Sequence, residues 1–162
     1  MQTAMFGSTP LTVQTLLPHR GRMLLVDEIL ALDDDQATTR AVACRNWPLF
    51  KDGVVNPLIL VELVAQTAGV HNGLQRLKTR GEGSKTRGWL VGVKKAIFHV
   101  NAIALGEAVT TTVKKAFVFE ELREIRGSAS INGKPAAEVT LQVVEADDNA
   151  PRSTRMVQDS CA

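Results

Sequence analysis

Between Asn56 and Lys78 the chain reads NPLILVELVAQTAGVHNGLQRLK. Asn56 suits an N-cap, where its side-chain oxygen can accept from an unpaired N–H of the first turn. Pro57 suits the first helical position, where no N–H is needed. Beyond them Leu58, Ile59, Leu60, Val61, Leu63, Val64, Ala65, Ala68, Val70 and Leu74 occupy nearly the whole circumference of a helix. A helix of that kind has to be wrapped on most sides by other structure. Glu62 nevertheless stands near its start, with Gln66 one turn later on the same face. A carboxylate set among apolar side chains must find partners, become neutral or take part in chemistry. Glu62 is therefore the first candidate functional residue.

The rest of the chain supplies the wrapping. Leu11 to Leu17 reads as a short helical turn, closed by Pro18. Met23 to Leu32 and Gln36 to Arg45 read as strands separated by Asp33, Asp34 and Asp35, and Asn46 to Val55 reads as a loop holding Pro48 and the turn pair Asp52-Gly53. After the helix, residues 79 to 88 are polar and glycine-rich, and the period then changes. Trp89 to Val100, Ala108 to Glu120, Leu122 to Ile131 and Pro135 to Glu145 are strands rich in Val, Thr, Ile and Phe, and Asn132-Gly133 marks a hairpin. The similar segments VKKAIF (93–98) and VKKAFV (113–118) read as neighbouring strands with lysines outward. One helix cannot cover both faces of six strands, so the sheet must curl around it in an α+β arrangement. The expected organisation is a flexible N-terminus over 1–10, one domain over 11–146 and a disordered polar tail over 147–162.

With 162 residues, 44% hydrophobic and 22% charged, the chain has the make-up of one globular domain. A net charge of +2 with only 4% aromatics argues against nucleic-acid binding. Cys44 and Cys161 form no disulfide framework or metal spacing, so no metal or cofactor is expected. The start MQTAMFGSTP lacks the features of a secretory signal. Glu62, Gln66 and His71 interrupt the central helix too often for it to cross a bilayer. These features predict a cytoplasmic protein.

Several segments resemble one family. LLPHRGRMLLVDEI (16–29) resembles the opening LPHR…LLVD of FabZ/FabA-type (3R)-hydroxyacyl-[acyl-carrier-protein] dehydratases, and LILVELVAQTAG (58–69) resembles their central-helix LxLEaxAQxxG. LVGVKKAIF (90–98), LGE (105–107) and GSASINGKPAAEVTL (127–141) resemble their later strands in the same order. The match spans residues 11 to 145, and around the helix the chain is more similar still to the ApeP-like branch of aryl-polyene pigment clusters. The resemblance implies the hot-dog fold, in which an antiparallel sheet of about six strands wraps one long central helix and two subunits pair edge to edge. It implies an acyl thioester substrate on acyl carrier protein or coenzyme A, in fatty acid or polyene biosynthesis. It also implies a homodimer, or a heterodimer with another hot-dog subunit. In the family a loop histidine of one subunit removes the α-proton. The helix carboxylate of the other, which Glu62 matches, protonates the leaving hydroxyl.

Eliminating water from a 3-hydroxyacyl thioester requires a base at C2, an acid at the C3 hydroxyl and donors to the thioester carbonyl. Burial favours the neutral, proton-donating form of a carboxyl, which suits the acid role. Gln66 is placed to orient Glu62, and an apolar groove along the helix would hold the acyl chain. Gly53, Asn56, Leu58 and Ile59 are the candidates for substrate binding. The loop PLFKDGVVNP (48–57) departs from the family: it is shorter, it has no histidine, and Pro57 replaces a glycine whose N–H would hold the carbonyl. Asp52 is the ionisable acid of that loop and a candidate base, although Asp-Gly is first a turn signal. His99, where the family usually carries a positive charge, would approach the partner subunit's Glu62 if it faced inward; facing outward, the preferred reading, it has no special role. His71 lies on the helix face opposite Glu62, about 13 Å along the axis, and reads as a core or interface histidine. His19 reads as a structural part of the LPHR turn. Arg76, Lys78, Arg80, Lys85 and Arg87 gather at the end of the helix and in the following loop, where they would either steer an acidic carrier protein or form a solvated face of cations beside the helix C-terminus.

The leading expectation is a 3-hydroxyacyl-thioester dehydratase that manages without the loop histidine. The alternatives are a non-catalytic hot-dog subunit paired with an active homologue, and a thioesterase whose helix carboxylate activates water or attacks the thioester.

Overall fold

A computed structural model describes residues 5–7, 9–81, 86–119 and 122–147. Of the segments expected to be loose, 1–10 and 147–162, residues 1–4, 8 and 148–162 lie outside the described residues, whereas Met5–Phe6 pairs with Thr9–Pro10 as two short antiparallel strands and Asp147 ends the last strand. In chain order the elements are β1 (Met5–Phe6), β2 (Thr9–Pro10), α1 (Val13–Leu16), β3 (Glu28–Leu32), β4 (Gln36–Val42), β5 (Phe50–Lys51), β6 (Val54–Val55) and α2 (Ile59–Arg80). After them come β7 (Thr86–Phe98), β8 (Ile103–Ala104), β9 (Ala108–Phe119), β10 (Leu122–Ile131) and β11 (Lys134–Asp147). Six strands form one antiparallel sheet in the order β3-β4-β9-β10-β11-β7, curled around the 22-residue α2. This is the α+β hot-dog arrangement.

The helix opens as its sequence dictates. Asn56 Oδ1 accepts from the Leu58 N–H at 2.9 Å. The next two N–H groups, of Ile59 and Leu60, bond three residues back to Asn56 O and Pro57 O. This tight entry turn puts the α-helix proper at Ile59, with Glu62 in its first turn. Gly81 ends the helix at φ +76°, its N–H bonded to Leu77 O at 3.0 Å. The buried side chains Leu60, Leu63, Val64 and Val70 fill the concave sheet. There they meet Ala37 and Ala41 of β4, Val109 and Val113 of β9, and Val139 and Leu141 of β11. A Cβ on Gly127 of β10 would lie 2.4 Å from Val64 Cγ1, so only glycine admits the helix that close.

Three expectations are corrected. Strand structure begins at Glu28 instead of Met23: Gly21–Met23 forms a 3₁₀ turn, and the N–H groups of Leu25 and Val26 turn to the Gln66 side chain instead of a sheet ladder. The loop from Asn46 to Val55 contains the hairpin β5–β6, which pairs with β8 in a second small sheet. The segments VKKAIF and VKKAFV lie in β7 and β9, which are not neighbours, because β10 and β11 stand between them. The hairpin at Asn132-Gly133 forms as expected, with both residues at positive φ, +50° and +77°.

β7 is the outer strand of the sheet, and its side chains from Trp89 onward are open on both faces. Trp89 and Val91 are each 56% exposed, and Leu90, Val93, Ile97 and Phe98 are exposed beside them. Among the described residues no helix is long and apolar enough to cross a membrane.

Candidate functional site

Glu62, Gln66, Gly69 and Gly73 follow one another at helical spacing and share one face of α2. The segment between α1 and β3 lies along that face. At Gly73 an added Cβ would stand 2.8 Å from Leu16 O, and at Gly69 one would stand 2.6 Å from Leu17 Cδ2. The two glycines therefore seat the end of α1 directly on the helix backbone. Beyond it, the Arg20 guanidinium donates to Leu17 O and His19 O at 2.6 Å each, and to Gln14 O at 2.9 Å. That clamp holds the turn through Pro18 and His19 in place.

Gln66 is fully buried and uses both ends of its amide. Oε1 accepts from Leu25 N at 2.9 Å and Val26 N at 3.4 Å. Nε2 donates to Met23 O at 2.6 Å and to Glu62 Oε1 at 2.8 Å. The same Glu62 oxygen stands 3.6 Å from His19 Nε2. Oε2 of Glu62 has no hydrogen-bond partner among the described residues. The side chains of His19 and Glu62 are 33% and 32% exposed, so the carboxyl is not sealed in the core as the apolar helix led us to expect. It sits at an opening, one oxygen held and the other free.

The remaining candidates are dispersed. Asp52 and Gly53 form the exposed β5–β6 turn, both at positive φ (+51° and +87°), so the turn signal accounts for them. Asn56 caps the helix, Leu58 is 54% exposed and Ile59 is packed in the core at 2%. His99 is exposed just after β7, with its backbone N–H on Ala136 O at 2.8 Å. No hydrogen bond or ion pair joins Asp52 or His99 to Glu62 within the chain. His71 is buried, with Nε2 3.0 Å from Asp34 O, a core position. Arg76, Lys78 and Arg80 line the end of α2. Lys78 is engaged by Asp34, whose carboxyl is held below the usual carboxylate range by Lys78 and then by Gln75. Lys85 and the Arg87 side chain lie outside the described residues. No group of three potential metal ligands exists among the described residues.

From sequence, His19 is a turn residue; the fold sets it beside Glu62. The signal for this was the face Glu62–Gln66–Gly69–Gly73. Two glycines one turn apart mark a close backbone approach, and the segment that approaches carries His19.

The family model described as ApeP dehydratase, for ApeP-like proteins, matches residues 11–154. A FabZ 3-hydroxyacyl-[acyl-carrier-protein] dehydratase of Streptococcus equi subsp. zooepidemicus is 30% identical over 134 residues, 80% of this chain and 91% of that one. In fold, the chain resembles the dehydratase heterocomplex ApeI:P from Xenorhabdus doucetiae: TM-score 0.75, 21% identity, 84% of this chain and 91% of the other. It also resembles a hypothetical thioesterase from Streptococcus pneumoniae: TM-score 0.56, 13% identity, 74% of this chain and 85% of the other. A match over nearly the whole globular part, on a fold that sets a helix carboxylate at an opening, makes the chain a member of the ApeP-like dehydratase family, a divergent hot-dog branch of the FabZ type.

Proposed function

We propose that the chain takes part in dehydration of 3-hydroxyacyl thioesters, with Glu62 as the acid–base group. The observation that carries this reading is the Glu62 carboxyl itself: Oε1 is anchored by Gln66, and Oε2, at a side chain one-third exposed, has no partner among the described residues. With no histidine in the loop, one carboxylate can serve both halves of the elimination. Oε2 removes the C2 proton, and the carboxyl then returns that proton to the C3 hydroxyl. The C3–O bond breaks, the C2–C3 double bond forms and water leaves, with Glu62 again a carboxylate.

The thioester carbonyl also needs donors, and the first turn of α2 has few to offer. Pro57 has no N–H, and those of Leu58, Ile59 and Leu60 already bond to Asn56 Oδ1, Asn56 O and Pro57 O. A second hot-dog subunit across the apolar β7 edge would complete the site. The solved dehydratase of similar fold is a heterocomplex, which favours a homologous, non-identical partner. The acyl chain would pass Glu62 on the side of the exposed Leu58, and Arg76, Lys78, Arg80, Lys85 and Arg87 would meet an acidic carrier protein.

The test is to incubate 3-hydroxyacyl-carrier-protein with the purified chain, alone and with a co-purified hot-dog subunit, and read products by mass spectrometry. Loss of one water, reduced about 10²- to 10⁴-fold in Glu62→Gln, supports the reading. Turnover that Glu62→Gln leaves unchanged would assign the chemistry to the partner, and release of free acid would assign hydrolysis.

A further inference from the structure

His19 reaches Glu62 by fixtures that have nothing to do with its ring. The two glycines of α2 seat Leu16 and Leu17, and Arg20 ties the carbonyls of Leu17 and His19 together. The ring nitrogens that result are unlike each other. Nε2 faces Glu62 Oε1 at 3.6 Å, whereas Nδ1 is buried and meets no partner among the described residues. A neutral imidazole carries one N–H. On Nδ1 that N–H would be buried without an acceptor, and the Nε2 lone pair would face an oxygen lone pair. On Nε2 it points at Oε1, and only a lone pair is buried. The separation is just beyond hydrogen-bond length, as catalytic contacts commonly are before substrate binds. Gln66 Nε2 approaches the same oxygen at 2.8 Å. Two donors therefore converge on Oε1 and, among the described residues, none on Oε2.

We propose that His19 is a positioning residue for this chemistry: its Nε2–H, together with Gln66, pins Glu62 Oε1, so that the proton is taken up and released at Oε2 alone. The proposal rests on the reading of Glu62 as the acid–base group, and His19 itself exchanges no proton with substrate. Because one oxygen does all the work, C2–H and C3–OH must lie on the same side of the substrate, toward Oε2.

Two substitutions separate the roles. His19→Gln sets an amide N–H where Nε2 stands, and His19→Phe keeps a ring without a donor. Loss of a hydrogen bond to a charged oxygen lowers kcat about 10- to 100-fold in His19→Phe, with KM changed less than about twofold. His19→Gln recovers to within about fivefold of wild type. If His19 were the proton acceptor, His19→Gln would fall as far as His19→Phe. If it were only a turn residue, neither folded variant would lose kcat. A readout independent of turnover is long-range ¹H–¹⁵N NMR of the ring in the full chain: the neutral form carries its proton on Nε2, and a proton on Nδ1 overturns the proposal. Failure of the underlying reading shows separately, as turnover indifferent to Glu62→Gln.

Discussion

Gln66 joins folding to function at the residue scale. Its amide satisfies the N–H groups of Leu25 and Val26 and the carbonyl of Met23, and it also holds Glu62. Gln66→Leu leaves those backbone groups without their partner, at about 2–4 kcal/mol in chemical denaturation. Glu62→Gln, at a side chain a third exposed, should stay within about 1 kcal/mol of wild type. Activity lost without stability in one variant and both lost in the other would separate the two roles. The Glu62–Gln66 pair was legible because residues four apart on a helix always meet. His19 was not, because its approach crosses 43 residues of chain and depends on how α1 docks.

The docking of α1 on α2 belongs to the element scale. Gly73 has no conformational peculiarity; what it supplies is room, since a Cβ would press on the backbone of Leu16 at 2.8 Å from its O and 3.1 Å from its Cα. Gly73→Ala raises helix propensity by about 1 kcal/mol, yet the forced shift of α1 outweighs this. The expected result is a net loss of about 1–2 kcal/mol in urea unfolding. Turnover should fall as well, because His19 moves with α1. An Ala variant as stable as wild type would show that the seat yields easily. The late start of β3 has a related cause. The segment before it satisfies its N–H groups on a helix side chain, a partner that period-2 alternation cannot reveal.

Two predictions belong to the molecule as a whole. The open apolar β7 is an edge that soluble proteins cover or charge. Size-exclusion chromatography with light scattering should show an oligomer, and Val91→Lys on that edge should shift it toward monomer. The outer face of the sheet holds a cavity of about 990 Å³ lined by Lys94, Lys95, Lys114, Arg126, Glu124 and Glu138. It is knit by ion pairs of Glu124 with Lys94 and Arg126, and of Lys95 with Glu138. The Glu124 carboxyl is lowered below its ordinary value of 4.5, chiefly by the Lys94 hydrogen bond. Asp34 is lowered below 3.8 by Lys78. A depressed folded-state value means stability that is fully present above the unfolded value and lost as pH falls through the folded one. The Tm should therefore be flat down to about pH 4.5 and fall below it. Glu124→Gln should have a lower plateau and a shallower acid fall.

What could be read from residues alone was local. The apolar circumference of residues 58 to 74 demanded a wrapped helix, Asn56 and Pro57 marked its entry, and Asn132-Gly133 marked a hairpin, because caps, turns and periodicity act within a few residues. Tertiary structure decided the rest. β7 and β9 carry similar sequences yet have two strands between them, since strand order depends on how the whole sheet closes over the helix. Leu25 and Val26 face Gln66, and His19 faces Glu62, because two glycines let one segment lie against a helix far along the chain. Which oxygen of Glu62 stays free is a consequence of that packing, and no spacing in the sequence encodes it.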